Sequence, residues 1–326
     1  MKKNRDIWLD ASRGIAIVVT MYVHFMRWFS EGFANWDFTM GDFSSFDVAW
    51  VRLIEGYLRI CWVGPFVFAF FINKKAMDWD LKWYFKRFLL LFVMPSVVWM
   101  MYSQSFELRF EIIQALFVFT ILCGILIETP VILRLIFYSI VIFLCFYLHP
   151  IRDDLASQSL IWKVLVGSPK QLNYFPLLYG LPSFFWFFEL YNIYHRKTDK
   201  DIKYIAYSVV VALIAIAGLY FIGAPMIPNH YPANAIEYFS SFAFTSMMHL
   251  LFFLNRKKVN PHGVLTLIGR YTWLHFMGHL IIGGLVFEVG GLFLNNFSFL
   301  WANVITILII LTLWKINLIY ARRKNE

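Results

Sequence analysis

Apolar residues fall along the chain in blocks of roughly 20, each bounded by charge, Pro or Asn, about the length of a helix that crosses the hydrocarbon core of a bilayer. They do not alternate as the strands of an outer-membrane barrel would. The blocks predict ten helical spans, at residues 7–29, 52–73, 84–103, 108–127, 131–149, 174–194, 203–222, 235–254, 264–287 and 298–319. An even number of spans puts both termini on one side.

The charges between the blocks supply an orientation. One set of connections carries Lys2, Lys3 and Arg5; Lys74, Lys75, Lys82, Lys86 and Arg87; Arg196, Lys197, Lys200 and Lys203; Arg256, Lys257 and Lys258; and Arg322, Arg323 and Lys324. Short basic connections stay inside, so these are expected in the cytoplasm with both termini. The other set holds Glu31, Asp37, Asp42 and Asp47, then Asp153 and Asp154, then the Pro-rich stretch from Gly223 to Pro232, and is expected outside. The turn around Glu128 to Pro130 is nearly uncharged, and only Arg134 nearby supports an inside placement. No internal repeat is evident and no connection is long enough for a soluble domain. The expectation is a single all-α, polytopic transmembrane domain over residues 1–326. The first span follows a basic start but lacks a small-residue cleavage site, so it is expected to be retained.

Composition agrees with this reading. The chain is 60% hydrophobic and 15% charged, against about 45–50% and about 25% in soluble domains, which excludes a soluble globular class. The formal charge of +9 follows the loops and does not form a basic block in a folded polar domain, so it reads as topology and not as nucleic-acid binding. Cys61, Cys123 and Cys145 lie inside apolar runs without paired or ligand spacing and imply neither a disulfide framework nor a zinc site.

An ionisable group in hydrocarbon is expensive, so charges within spans are candidates for function, with snorkelling and pairing as the plainer explanation near helix ends. In the first span Arg13 and His24 are eleven residues apart, which returns them to nearly the same helix face about 16 Å apart along the axis. Asp10, three residues before Arg13, can pair with it, and Gly14 permits close approach of a helix or ligand. An imidazole deep in such a stripe is a natural general base; the alternative is a helix-packing hydrogen bond. The ninth span repeats the arrangement with Arg270 near its inner end and His279 nine residues deeper. Both spans run outward, so His24 and His279 come to similar depths. His275, one turn before His279, reads as a structural histidine, and no zincin pattern accompanies the pair, so no metal site is expected. Lys86 and Arg87 open the third span as either positive-inside anchors or a phosphate site, and Pro95 should kink that helix and free a carbonyl. Glu55, Glu111, Glu189 and Glu237 can each orient a histidine or pair with Arg52, Arg59 or Arg109. His149, His195, His230 and His262 lie at span ends or in loops.

The run Leu9-Asp10-Ala11-Ser12-Arg13-Gly14-Ile15-Ala16, followed by His24, resembles the first helix of the acyltransferase family 3 membrane proteins, part of a wider transmembrane superfamily that includes the heparan-glucosaminide acetyltransferases. Gly64 to Phe71 resembles the family's Phe-rich second helix, Lys86-Arg87 through Met94-Pro95 its third, and Gly269-Arg270-Tyr271-Thr272 through His279 its pattern near the C-terminus. The second helix departs in ending Phe70-Phe71-Ile72-Asn73, and Phe276 stands where Tyr is common.

The resemblance implies acyl transfer, usually of acetyl, from cytoplasmic acyl-CoA to a hydroxyl or amine of an envelope glycan or lipid-linked sugar, at a bacterial inner or plasma membrane, with an O-acyltransferase as the expected enzyme class. Arg13, Lys86, Arg87 and Arg270 would hold the CoA head. His24, Arg13, Asp10 and His279 form the candidate catalytic set, with His24 as general base or, alternatively, as the group that takes the acyl. Thr272, Tyr22 or a backbone amide would stabilise the oxyanion. A transporter or flippase of an anionic or sugar-linked substrate, and a catalytically inactive assembly partner, are the competing classes. Acceptor identity, acyl length and homo-oligomerisation stay open.

Overall fold

The computed structural model describes residues 7–31, 41–42, 44–58, 63–71, 73–103, 112–167, 176–196, 203–224, 235–293 and 297–325. Its helices in chain order are α1 (Ile7–Glu31), α2 (Ser45–Leu58), α3 (Val63–Phe71), α4 (Lys74–Met77), α5 (Leu81–Phe88), a π-helical turn (Leu89–Val93), α6 (Met94–Ser103), α7 (Ile112–Glu128), α8 (Val131–Leu148), α9 (Arg152–Gln158), α10 (Leu160–Val166), α11 (Leu177–Arg196), α12 (Lys203–Phe221), α13 (Ala235–Leu254), α14 (Val264–Arg270), α15 (Thr272–Phe293) and α16 (Phe299–Asn325). Two-residue strands Gly41–Asp42 and Phe297–Ser298 pair in parallel. The architecture is all-α, as expected.

Helix limits follow the apolar blocks closely over α8, α12 and α13. Two blocks are divided. The second becomes α2 and α3, and α2 begins at Ser45, ahead of the expected start. The ninth breaks at Tyr271, whose φ of −108° and ψ of 37° leave the helical region between α14 and α15. By length and composition, Val131–Leu148, Lys203–Phe221 and Phe299–Arg323 can cross a membrane. Their burial pattern agrees: α8 buries a narrow stripe of Arg134, Tyr138 and Val141, while Ile132, Leu135, Ile136, Phe143 and Phe146 are exposed. An apolar surface of that extent requires lipid or protein against it.

The chain forms two compact units. The first comprises Met1–Trp62 and Met247–Glu326. Its centre is α1, packed against α2, α14, α15 and α16. The contact with α14 is backbone on backbone. A Cβ on Gly14 would stand 1.9 Å from the Leu265 carbonyl oxygen, and one on Gly269 would stand 1.7 Å from that of Asp10. Glycine at both positions is what allows the helices to meet. Further along α1, Gly283 of α15 receives the Trp28 ring, which would lie 2.4 Å from an added Cβ.

The second unit, Val63–Ser246, is organised on α11, whose Phe184, Phe187, Phe188 and Tyr191 are fully buried. Phe68 of α3 meets Tyr191 edge-on at 4.6 Å, and Phe119 of α7 stacks on Phe184 at 4.9 Å. Pro182 lies inside α11 and has no N–H for the carbonyl four residues earlier. That carbonyl, on Leu178, instead accepts a weak hydrogen bond from the Cys145 thiol of α8 at 3.5 Å. Polar side chains also gather at Pro95. The π-helical turn precedes it, the Ser96 hydroxyl donates to the Phe92 carbonyl at 2.7 Å, and Gln114 of α7 donates to Ser96 at 3.1 Å.

Candidate functional site

The Gly14–Gly269 crossing decides what stands beside it. With the α1 and α14 backbones in contact, their neighbours Arg13 and Arg270 both reach the buried Asp10. Arg13 Nη1 donates to Asp10 Oδ1 at 3.3 Å, and Arg270 Nε lies 3.6 Å from Oδ2. Arg13 also donates from Nη2 to the Thr272 hydroxyl at 3.3 Å, which in turn donates to the Gly269 carbonyl at 2.7 Å. The i, i+3 pairing of Asp10 with Arg13 was legible in the sequence. That one carboxylate serves Arg270 as well was not. Two guanidiniums sharing one carboxylate leave an excess positive charge among these three groups, the electrostatics a phosphate group requires.

Deeper along α15, the buried His275 has Nδ1 3.3 Å from the Tyr271 carbonyl oxygen. The Asn317 amide of α16 stands beside the ring, its Nδ2 3.0 Å from Nδ1 and 3.1 Å from Nε2. Both ring nitrogens are used within the helix bundle, which accounts for His275 as a structural histidine.

One turn further, His24 Nδ1 and His279 Nε2 are 3.1 Å apart. His279 Nδ1 lies 3.1 Å from the His275 carbonyl oxygen, and Trp28 stacks flat on the His279 ring at 5.7 Å with 5° between planes. The expectation that the two histidines share a depth is met by direct contact. Tyr22 donates to Asn303 Oδ1 at 2.9 Å, and Asn303 to the Phe299 carbonyl at 2.7 Å. The hydroxyl protons of Tyr22 and Thr272 are therefore both committed to protein acceptors, which argues against either as the oxyanion donor.

Together these residues form a polar column inside the first unit, with guanidiniums at one end and the imidazole pair at the other. Asn303 and Asn317 belong to it and were not foreseen; polar amides within the last apolar block were the available signal. His249 of α13 was also passed over. It is fully buried, with Trp8 edge-on to its ring at 6.1 Å.

Lys86 and Arg87 belong to the second unit. Lys86 is exposed on α5, and the Arg87 guanidinium lies over the Trp83 ring at 5.0 Å. Glu189 finds a partner that the sequence did not name. Arg134 donates to it from Nε at 2.7 Å and Nη2 at 3.1 Å, and Tyr138 donates to Oε1 at 2.7 Å. Arg134 also donates to the Thr129 carbonyl at 2.7 Å, so it clamps the α7–α8 turn to α11 and is no solvated anchor. Glu237 is buried in α13. The side chains of Arg52, Glu55, Arg59, Arg109, Glu111, His195 and Phe276, and all of His230, lie outside the described residues. Among the described residues no group of three or more His, Cys, Asp or Glu is placed to hold a metal ion.

Three helices long and apolar enough to cross a bilayer, and a buried polar column within the first unit, are those of a helical membrane protein. Residues 5–225, about two thirds of the chain, match the family model of heparan-alpha-glucosaminide N-acetyltransferase, catalytic, and the chain belongs to that family of membrane acetyltransferases. The match lies on the heparan-glucosaminide branch of the resemblance and not on acyltransferase family 3 itself. Asp10, Arg13, His24, Lys86 and Arg87 fall within the matched residues, whereas Arg270 and His279 follow them. No curated protein and no solved structure matches the chain.

Proposed function

We propose that the protein is a multi-pass enzyme of a bacterial inner or plasma membrane that moves an acetyl group from cytoplasmic acetyl-CoA to a hydroxyl or amine of a cell-envelope carbohydrate or lipid-linked sugar. The observation that carries the reading is Arg13 and His24 on one helix of a chain in this family, separated by a length that suits a donor with a phosphorylated head and a thioester tip. The family name refers to transfer to nitrogen, which sets N-acetylation beside the O-acetylation that the sequence resemblance implies.

In this mechanism Arg13 and Arg270 receive phosphate oxygens of the donor, with Asp10 holding both guanidiniums in place. Lys86 and Arg87 are proposed as further donor-binding residues. The thioester reaches toward His24, whose imidazole takes the acceptor proton as the acceptor attacks the carbonyl carbon. The carbon–sulfur bond then breaks and the thiolate of CoA leaves.

The test is transfer from acetyl-CoA by purified wild type and His24→Ala in bilayer discs, with sugar acceptors, alongside mass analysis of envelope glycans from cells carrying each form. Loss of the base should lower turnover by about 10²–10⁴. Arg13→Ala should raise the KM for acetyl-CoA and change kcat little. A wild-type protein that neither hydrolyses nor transfers from any short-chain acyl-CoA would exclude this reading and favour a transporter or an inactive partner.

A further inference from the structure

The hydrogen bonds around His279 determine where the protons of the histidine pair sit. The His275 carbonyl oxygen 3.1 Å from His279 Nδ1 has no proton to offer, so Nδ1 is the protonated nitrogen of the neutral ring. Nε2 then holds the lone pair and faces His24 Nδ1 at 3.1 Å. His24 must therefore donate from Nδ1, which leaves its own lone pair on Nε2. The His279 ring is fixed from its face by Trp28, and Trp28 is in turn seated on Gly283. His279 itself is fully buried.

We infer that His279 is a positioning and proton-accepting partner of His24: it sets the tautomer that makes His24 Nε2 the base and takes up the Nδ1 proton when Nε2 is protonated. The inference rests on the reading of His24 as general base. In the forward step the acceptor proton moves to His24 Nε2 while the Nδ1 proton passes to His279 Nε2. The acceptor oxygen or nitrogen forms its bond to the acetyl carbon and the thiolate departs. The proton on His279 then returns to His24 Nδ1, and His24 Nε2 delivers its proton to the thiolate. Both rings end as they began, and the products are the acetylated acceptor and CoA thiol.

His279→Gln separates the two roles. The glutamine carbonyl can accept from His24 Nδ1 but cannot take a proton to form a cation. In discs, this variant should keep the wild-type KM for acetyl-CoA and lose roughly tenfold or more in kcat, a part of the whole contribution of about 10²–10⁴ from the base. The proton inventory in mixtures of light and heavy water should be curved for wild type and linear for His279→Gln. Wild-type kcat in His279→Gln would overturn the relay.

A second measurement needs no folded variant. Nitrogen NMR of histidine-labelled wild type should show Nδ1–H on both rings, and a His24 protonated at Nε2 instead would refute the assignment. His24→Ala with undiminished turnover would defeat the general-base reading itself, an outcome distinct from either result at His279.

Discussion

Gly269 approaches Gly14 so closely that a Cβ built on it would stand 2.7 Å from the Gly14 backbone nitrogen. Neither helix can carry a side chain there without moving a backbone, and the guanidinium cluster depends on that contact because Arg13 and Arg270 are the next residues along.

Gly269→Ala should therefore separate α1 from α14. Overpacking against side chains costs about 1–3 kcal/mol, and a backbone neighbour cannot rotate away, so the upper end or beyond is expected. Gly218→Ala is the matched control. Nothing lies within 4 Å of its added methyl, and alanine favours the helix by about 0.5–1 kcal/mol. Thermal unfolding in detergent should show a large fall for the first and no fall for the second.

Asp10→Asn removes the one charge that Arg13 and Arg270 share. Charge-assisted hydrogen bonds contribute about 1.5–3 kcal/mol each, less where the guanidinium is partly exposed as here, so a loss of roughly 1–3 kcal/mol is expected. The donor KM should rise as well, since both guanidiniums lose their orientation. Unchanged melting and unchanged KM together would show that Asp10 does not hold the cluster.

Glu189→Gln strands the buried Arg134, and the expected cost is about 3–5 kcal/mol. Replacing both, with Arg134→Met and Glu189→Leu, should recover much of that loss, because no uncompensated charge remains. A double variant as unstable as the single one would mean that the clamp acts through the Thr129 carbonyl and not through the ion pair. Unfolding in mild denaturant with all three proteins decides this.

The expected orientation is open to cysteine labelling in intact cells, in a background lacking the three native cysteines. A membrane-impermeant maleimide should modify Ile222→Cys, exposed at the end of α12, and spare Lys257→Cys, exposed after α13. The reverse pattern would invert the topology and move the proposed donor site to the other face.

Much of the fold was legible because a bilayer forces helix length and apolar surface into the same segment. Blocks 131–149, 203–222 and 235–254 needed only counting. The break at Tyr271 was not visible, because Tyr carries no breaker signal; it arises where Gly269 is pressed onto α1 and Thr272 turns its hydroxyl back to the Gly269 carbonyl. The role of Arg134 was hidden for a related reason. Its charge beside an uncharged turn bears on placement alone, and only α11, arriving from more than 50 residues away in sequence, makes it a buried ion-pair partner.

The sequence by itself determined the all-α class, the helices over 131–149, 203–222 and 235–254 and the placing of Arg13 and His24 on one helix, since each depends on local periodicity and on the cost of charge in hydrocarbon. Only the tertiary structure decided who meets whom within the stripe. Asp10 turns out to be shared by Arg270, His275 to belong to Asn317, and His279 to hold the δ-nitrogen of His24. These are contacts between residues 42 to 260 positions apart, and no local pattern encodes which tautomer such a contact will select.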